Sequence, residues 1–344
     1  MINSRRRRGK MVSSVKKPKR RKTYGKIAFI TTPQFRESRP GDIVKFACKH
    51  LYSLCHYFDV SSTGGTYKFV EKEILDAGKT LKDLKKAGAS MVEDNDGAIT
   101  SDRIFKDWQK RIKDRLNPLD GGFKGMIRVI YELVEGRMDG VIHLTDWQDI
   151  SAKPDSAVLS REANVYNRPI ALNSETAEAF IKTWKAQIAQ DPDRCPIFPK
   201  PDNVIELDIE TGKSNPNILA MVAHDNKKLE MCRFAVAHAN TIFNNYDCII
   251  ATGTTGTWIK RFIEVVRGKA DADKVHCCYS GPEGGDLQIA YAVVKGWCRK
   301  IVFFQDPSVS HPHDPDIRLF EQAVIAEGVN VQMATNAESA KLII

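Results

Sequence analysis

The feature that most constrains the fold of this chain is an internal repeat. The apolar run from Ile218 to Val222 matches Lys26 to Ile30, and TGTTG at 252–256 matches STGGT at 62–66. Further along, GPEGGDLQIAYAVVKG matches the stretch from Gly121 to Gly136, and NAESAKLII matches NSETAEAFI. A chain that uses one pattern twice is expected to fold as two similar domains.

Within each half, short β-branched apolar runs alternate with segments of helical spacing. Cys248 to Ile250 and Ile301 to Phe304 are typical of buried strands, whereas Ile43 to Phe58 places its apolar residues on one side of a helix. Val60 to Thr66 is typical of a small-residue turn. The alternation predicts an α/β fold with two largely parallel sheets and flanking helices.

The spacing of the repeat locates an insertion in the first half. Equivalent residues are 192 positions apart at Thr32 and His224 but 160 apart at Tyr131 and Tyr291. We therefore expect about 32 extra residues in the Lys-rich segment near 76–118. The predicted organisation is a basic disordered tail at 1–24, a first domain at 25–186, a Pro-rich linker at 187–215 and a second domain at 216–344.

The net charge of +9 comes from the first 22 residues. They hold eleven Lys and Arg and no acidic residue, so the rest of the chain carries a formal charge of −2. Such an arm is typical of nucleic-acid binding, a nuclear address or an organelle presequence, and equally of a solvated tail without a partner. Because the body is slightly acidic, we do not expect nucleic acid to be the main partner.

Signals for membrane insertion or secretion are missing from the sequence. No apolar run approaches the ~20 residues that span a bilayer, and no apolar signal core follows the basic start. The eight cysteines include no Cys-x-x-Cys pair, and several lie inside apolar runs as reduced, buried thiols do. We expect a cytoplasmic protein without a membrane partner, with organelle or nuclear targeting by the arm as alternatives.

Three segments carry the polar residues best suited to chemistry, and two of them, TGTTG and FFQDPSVSHPHDPD, follow predicted strands. TGTTG follows Cys248 to Ile250, SGPEGGD occupies Ser280 to Asp286, and FFQDPSVSHPHDPD runs from Phe303 to Asp316. Glycines and hydroxyls at such turns can cradle a phosphate, and a carboxylate at a helix start can face the ligand. Each residue alone also suits a tight turn, a helix cap or the surface. The histidines and aspartates at 311–316 can hold a metal by composition, but the prolines between them keep the chain extended and disfavour one.

The motifs of the second half occur in a recognisable order. His224-Asp225 with Lys228, then TGTTG, SGPEGGDLQ, FFQDP and PHDPD closely resemble methylglyoxal synthase, and the resemblance covers nearly all of Ile218 to Ile344. It implies a flavodoxin-like parallel sheet, no metal and no organic cofactor. It also implies conversion of dihydroxyacetone phosphate to methylglyoxal and inorganic phosphate, phosphate acting as product and inhibitor, and a homo-oligomer.

The resemblance also implies roles, residue by residue. Asp286 resembles the general base, His313 resembles the histidine that polarises the substrate carbonyl, and His224 resembles a further substrate contact. The residues similar to the phosphate cradle are Lys228, Thr252, Gly253, Thr254, Thr255, Ser280 and Gly281, and those similar to the supporting carboxylates are Asp225, Asp306 and Asp316. Lys227 lies beside Lys228, and the sequence leaves open which of the two faces the phosphate.

The first half lacks most of these residues. The repeat places Met126 at the position of Asp286, Thr32 at His224, Pro33 at Asp225, Arg36 at Lys228, Lys153 on or near His313, and Asp146 at Asp306. We expect a first domain that cannot abstract a proton. The alternative for the whole chain is a non-catalytic regulatory module that binds phosphate or nucleotide, but the presence of both Asp286 and His313 favours the enzyme.

Overall fold

The computed structural model describes residues 23–344 except 96, 147–153, 194–215, 307–313, 327, 328 and 330. Within these residues the chain forms two five-stranded sheets flanked by helices, and every pair of neighbouring strands is parallel. The predicted α/β class with mainly parallel sheets is therefore confirmed.

The two sheets have the same strand order. The first is β3-β2-β1-β4-β5 and the second, written in the same sense, is β8-β7-β6-β9-β10. The strands are β1 (Lys26–Thr31), β2 (Asp59–Ser62), β3 (Leu116–Pro118), β4 (Gly140–Leu144), β5 (Ile170–Ala171), β6 (Ile218–Ala223), β7 (Cys248–Ala251), β8 (Val275–Cys277), β9 (Cys298–Phe304) and β10 (Gln332–Ala334). This is the 3-2-1-4-5 order of dinucleotide-binding sheets, and it differs from the flavodoxin order 2-1-3-4-5. Ligands of such sheets bind at the carboxyl edge where the order reverses, which is between β1 and β4 and between β6 and β9.

Helices cover both sheets. Those of the first half are α1 (Pro33–Ser38), α2 (Pro40–Tyr57), α3 (Gly64–Val70, continued by a π-helical turn at Glu71–Leu75), α4 (Leu81–Lys86), α5 (Asp102–Lys113), α6 (Gly122–Val134), α7 (Pro154–Val165) and α8 (Ser174–Gln190). Those of the second half are α9 (Lys228–Ala237), α10 (Ala239–Asn245), α11 (Gly253–Arg267), α12 (Lys269–Ala272), α13 (Gly285–Val294), α14 (Asp314–Ile325) and α15 (Ala337–Ile343), with 3-10 turns at Asp225–Lys227 and Gly281–Glu283.

The segment predicted as an insertion is partly core. Helix α5 buries Phe105, Trp108 and Ile112 on one face, in the same cluster as the apolar side of α2. The last three residues of the predicted segment are β3, which pairs with β2, so the sheet requires them. The turn predicted over Val60 to Thr66 is also shorter than expected, because β2 extends to Ser62. The hydroxyl of Ser62 donates to the carbonyl of Phe29 at 2.8 Å. That hydrogen bond allows a small polar residue in a buried strand.

The predicted tail and linker lie largely outside the described residues. Helix α8 continues to Gln190, so the linker cannot begin at 187 as predicted. The hydroxyl of Tyr24 donates to the carbonyl of Pro192 at 2.9 Å, which holds the start and the end of the described first half together. No helix in the described part of the chain is long and apolar enough to cross a membrane.

The two halves share one interface. Helix α6 packs against α13, and α7 packs against α14. The rings of Tyr131 and Tyr291, which the repeat makes equivalent, stack with centroids 3.9 Å apart and planes 6° from parallel. Buried residues of both halves belong to one hydrophobic cluster. Contact between equivalent residues is the mark of a two-fold arrangement, so the halves pack as two subunits of a symmetric dimer would.

Candidate functional site

A cavity of about 270 Å³ opens at the carboxyl edge of the second sheet, where the strand order reverses. Its walls come from the ends of β6 and β9 and from the turns after β6, β7 and β8. The lining residues are Val222, Ala223, His224, Asp225, Lys228, Thr252, Thr254, Ser280, Gly281, Pro282, Asp286 and Phe303. Residues from four of the five predicted motifs therefore meet in one cavity.

The position of Asp286 is set by two glycines. Gly284 has a φ of +93°, and a Cβ at Gly285 would lie 2.0 Å from the carbonyl oxygen of Tyr279, so the turn requires glycine at both positions. Helix α13 begins immediately after this turn and carries Asp286, only 3% exposed, in its first turn. A carboxylate there is favoured by the helix dipole. The turn is braced by Gln288, whose Oε1 accepts from the amide of Tyr279 at 2.7 Å.

His224 reaches the cavity with a defined orientation. Its Nδ1 accepts from the backbone amide of Asp306 at 2.8 Å, and its ring lies edge-on to Phe303 with centroids 5.0 Å apart. A ring nitrogen that accepts from an amide carries no proton, so neutral His224 carries its proton on Nε2. The strand end thus supplies a directed hydrogen-bond donor.

The structure distinguishes the two adjacent lysines. Lys228 lines the cavity and its Nζ lies 2.6 Å from Oδ1 of Asp225. Lys227 instead pairs with Oε2 of Glu230 at 3.0 Å, and these two side chains are 34% and 46% exposed to solvent. Lys228 is therefore the cation available to an anion in the cavity.

Two predicted cradle residues, Gly253 and Thr255, are not part of the cavity lining. The amide of Gly253 donates to the carbonyl of Tyr279 at 2.7 Å, so it does not point at a phosphate. A Cβ at Gly253 would lie 3.0 Å from the amide nitrogen of Ser280. Glycine at position 253 therefore allows the turn after β7 to approach the turn after β8 closely. Thr255 is fully buried, with its hydroxyl 3.5 Å from that of Thr252. Thr252 and Thr254, by contrast, line the cavity.

The predicted carboxylates fall into different environments. The Asp225 side chain is 86% exposed at the cavity rim. Asp306 is not part of the cavity lining; its amide orients His224, and its Oδ2 accepts from Asn226 at 3.1 Å. Asp316 is fully buried in α14. His313 lies outside the described residues.

The equivalent place in the first half differs. A smaller cavity of about 170 Å³ includes Thr32, Arg36 and Met126 in its lining. The guanidinium of Arg36 donates to the backbone carbonyl of Thr31 and lies 3.2 Å from the Thr31 hydroxyl. A Cβ at Gly65 would lie 2.8 Å from Arg36 Nη2, so the Arg36 side chain fills the space beside the Gly64-Gly65 turn of the first half. Met126 lies at the position of Asp286, and the carboxylate in this lining belongs to Asp155, on a different helix.

A cluster of charges that the sequence did not reveal joins the halves behind the site. Nη1 of Arg161 on α7 lies 2.7 Å from Oδ2 of Asp316 and also contacts Oε1 of the neighbouring Glu162. Glu162 and Asp316 are fully buried. Burial, followed by the nearby carboxylate of Asp316, raises the pKa of Glu162 to about 8, and Arg161 opposes the shift. Glu162 therefore keeps its proton at neutral pH.

Glu162 should make stability depend on pH. The charged groups that face it are Arg161 on its own helix, Asp316 on α14 and Asp286 on α13. Because its folded-state pKa is raised, the folded chain keeps a proton that the unfolded chain releases, so stability falls as pH rises from about 4.5 to about 8. Glu162→Gln should remove this loss. The difference in thermal unfolding midpoint, variant minus unmodified protein, should therefore be larger at pH 8 than at pH 5.

Thermal unfolding at the two pH values tests this expectation. Glu338→Gln is the matched control, since that side chain is 83% exposed. A midpoint difference for Glu162→Gln that stays constant with pH would show that Glu162 is ionised in the folded state.

Comparisons with known proteins find relatives that match 126 residues, or 37% of this chain. Methylglyoxal synthases from Geobacillus thermodenitrificans, Cupriavidus pinatubonensis and Thermus thermophilus are 36%, 39% and 38% identical, over 79%, 88% and 90% of their lengths. An uncharacterized protein of Synechocystis is 40% identical, but the chain spans only 26% of its length. The crystal structure of methylglyoxal synthase from Elizabethkingia anophelis is 32% identical, with 37% of this chain and 76% of that chain covered and a TM-score of 0.31. No family model matches the chain.

Proposed function

Because the chain belongs to the methylglyoxal synthase family, we propose that it converts dihydroxyacetone phosphate to methylglyoxal and inorganic phosphate. The observation that carries the proposal is the convergence of Asp286, His224 and Lys228 on one cavity. A base, a neutral donor and a cation are the three groups that enolisation of a phosphorylated ketone requires.

In the proposed reaction Asp286 acts first. Its carboxylate removes a proton from the carbon beside the substrate carbonyl, and the electron pair moves onto the carbonyl oxygen to give an enediolate. Nε2–H of His224 donates to a substrate oxygen as charge develops there. We assign polarisation of the carbonyl to His313, which precedes α14 and its buried Asp316.

The second step expels phosphate. The electron pair of the enediolate breaks the bond between carbon and the bridging phosphate oxygen, and the enol product then becomes methylglyoxal. This requires the bond to lie out of the enediolate plane, so the phosphate must be held by directional donors. Lys228, Thr252 and Ser280 surround the cavity and suit that task. Donors that stabilise the departing phosphate favour its expulsion over reprotonation of the enediolate at carbon.

The direct test supplies dihydroxyacetone phosphate to the purified full chain and measures both products. Methylglyoxal and phosphate are expected in equal amounts. Phosphate without methylglyoxal would indicate a phosphatase. If the chain binds inorganic phosphate but releases neither product, the regulatory binding module is the correct function.

The basic arm is not expected to take part in the reaction. Every residue to which we assign a role in the reaction lies beyond position 223, and residues 1–22 contain none of the matched motifs. A chain that starts at Thr23 should therefore keep the kcat of the full chain. A steady-state comparison of the two proteins checks this, and a large fall in kcat at unchanged folding would show that the arm reaches the site.

A further inference from the structure

The loop that leads into helix α13 and Asp286, here called the Asp286 loop, is held by residues of the other half. Nη2 of Arg161 donates to the carbonyl of Pro282 at 2.6 Å, and the hydroxyl of Tyr166 donates to the carbonyl of Glu283. One turn further, Nε2 of Gln288 donates to Oε1 of Glu135 at 2.6 Å. The segment from Tyr279 to Gln288 is therefore fixed on both sides, by its own sheet and by the first half.

Arg161 makes a connection that the other two contacts do not. One of its nitrogens is paired with Asp316 on α14, while the other holds the Pro282 carbonyl in the loop before α13. A guanidinium is planar, so its nitrogens cannot move independently. The ion pair and the loop contact therefore fix the start of α13 relative to α14. Those two elements carry the proposed base and the buried carboxylate that follows His313 by three residues.

We propose that Arg161 is a positioning residue for the site in the second half. It belongs to the half that lacks the base, and it acts by holding the Asp286 loop and α14 at a fixed separation. The inference rests on the proposed function of the cavity and gives the first half a task in it: the site is completed across the interface between the halves.

The charge balance of the cluster agrees with this role. Arg161 is the cation that faces the two buried carboxyl groups Glu162 and Asp316. With Glu162 protonated, as its raised pKa implies, the guanidinium neutralises Asp316 alone. The side chain of Arg161 is 23% exposed and that of Asp316 is fully buried, so solvent screens this ion pair only partly. Because Glu162 is neutral, it does not compete with Asp316 for the charge of the Arg161 guanidinium.

The test compares Arg161→Lys and Arg161→Met with the unmodified full chain. Displacement of a reacting group by about 1 Å can cost ~10²-fold in rate. We expect kcat for dihydroxyacetone phosphate to fall about 10-fold in the lysine variant, which keeps the charge but loses the planar fork, and about 10²-fold in the methionine variant. KM should change less than kcat, because Lys228 and Thr252 do not contact Arg161. Amides from Ser280 to Leu287 should exchange hydrogen faster with solvent in both variants.

Lys295→Met is the matched control. Lys295 also makes an ion pair across the interface, 3.8 Å from Oδ2 of Asp120, but it lies outside the cavity lining. It should leave kcat and the exchange of the 280–287 amides unchanged. A kcat within twofold of the unmodified protein in both Arg161 variants would overturn the proposal, whatever the exchange rates.

Failure of the proposed function gives a different result. If the unmodified chain makes no methylglyoxal, the reaction is wrong, and amide exchange alone then decides whether Arg161 positions the loop. Faster exchange in the lysine variant supports the positioning role, and unchanged exchange overturns it. The lysine variant keeps a cation beside Asp316, so it tests the role even if the methionine variant does not fold.

Discussion

Replacing Asp286 with asparagine is expected to lower kcat by ~10² to 10⁴, the usual contribution of a positioned general base. The amide has the same shape, so the helix start and the glycine turn remain intact, but it cannot accept the proton from carbon. Binding of inorganic phosphate should survive, because the groups assigned to phosphate are Lys228, Thr252 and Ser280. Steady-state kinetics and calorimetric titration with phosphate measure the two effects separately.

Asp273→Asn is the control for this substitution. Asp273 is an exposed aspartate of the same half, 3.4 Å from Lys260, and its change should leave kcat unaltered. Turnover by Asp286→Asn within a few-fold of the unmodified protein would exclude Asp286 as the base. Loss of phosphate binding together with turnover would mean that the carboxylate supports the cavity and does not act on the substrate.

The sequence predicts those parts of the fold and site that depend on short segments. Apolar β-branched runs predicted β7 and β9, and the Gly-Gly pair before Asp286 marked a tight turn into a helix. These are local requirements, since a φ of +93° at Gly284 restricts the residue type wherever the segment lies. The strand ends then share one edge of a parallel sheet, which is why motifs distant in sequence meet in one cavity.

The parts that were not predicted depend on packing between segments. Gly253 and Thr255 fit a phosphate-binding motif, yet the Gly253 amide bonds to the carbonyl of Tyr279 and the Thr255 side chain is fully buried. Arg161 and Glu162 match no motif, and only the packing of α7 against α14 gives them a role. One signal was available: Glu162 falls on the buried face of α7 with Val158 and Leu159, and a charged residue at such a position needs a partner.

Each chain is expected to bind one molecule of a tight enediolate analogue such as phosphoglycolohydroxamate. Such analogues bind ~10²-fold or more tightly than substrate only where the groups that act on the reacting atoms are present. The cavity of the first half is smaller, has Met126 at the position of the base and has its glycine turn occupied by Arg36. Calorimetric titration should therefore give a stoichiometry of one, and two equal tight sites would contradict a catalytic role for the second half alone.

Two matched substitutions assign the tight site to one half. Lys228 and Arg36 are equivalent in the repeat, and each lines its own cavity. Loss of a cation that contacts a buried anion costs about 30-fold or more in affinity. Lys228→Met should therefore weaken binding of the analogue by at least about that factor, whereas Arg36→Met should leave both affinity and stoichiometry unchanged. Met126→Asp should add no second active site, because a base acts only beside a donor for the developing oxyanion, and Thr32 stands where His224 supplies that donor in the second half.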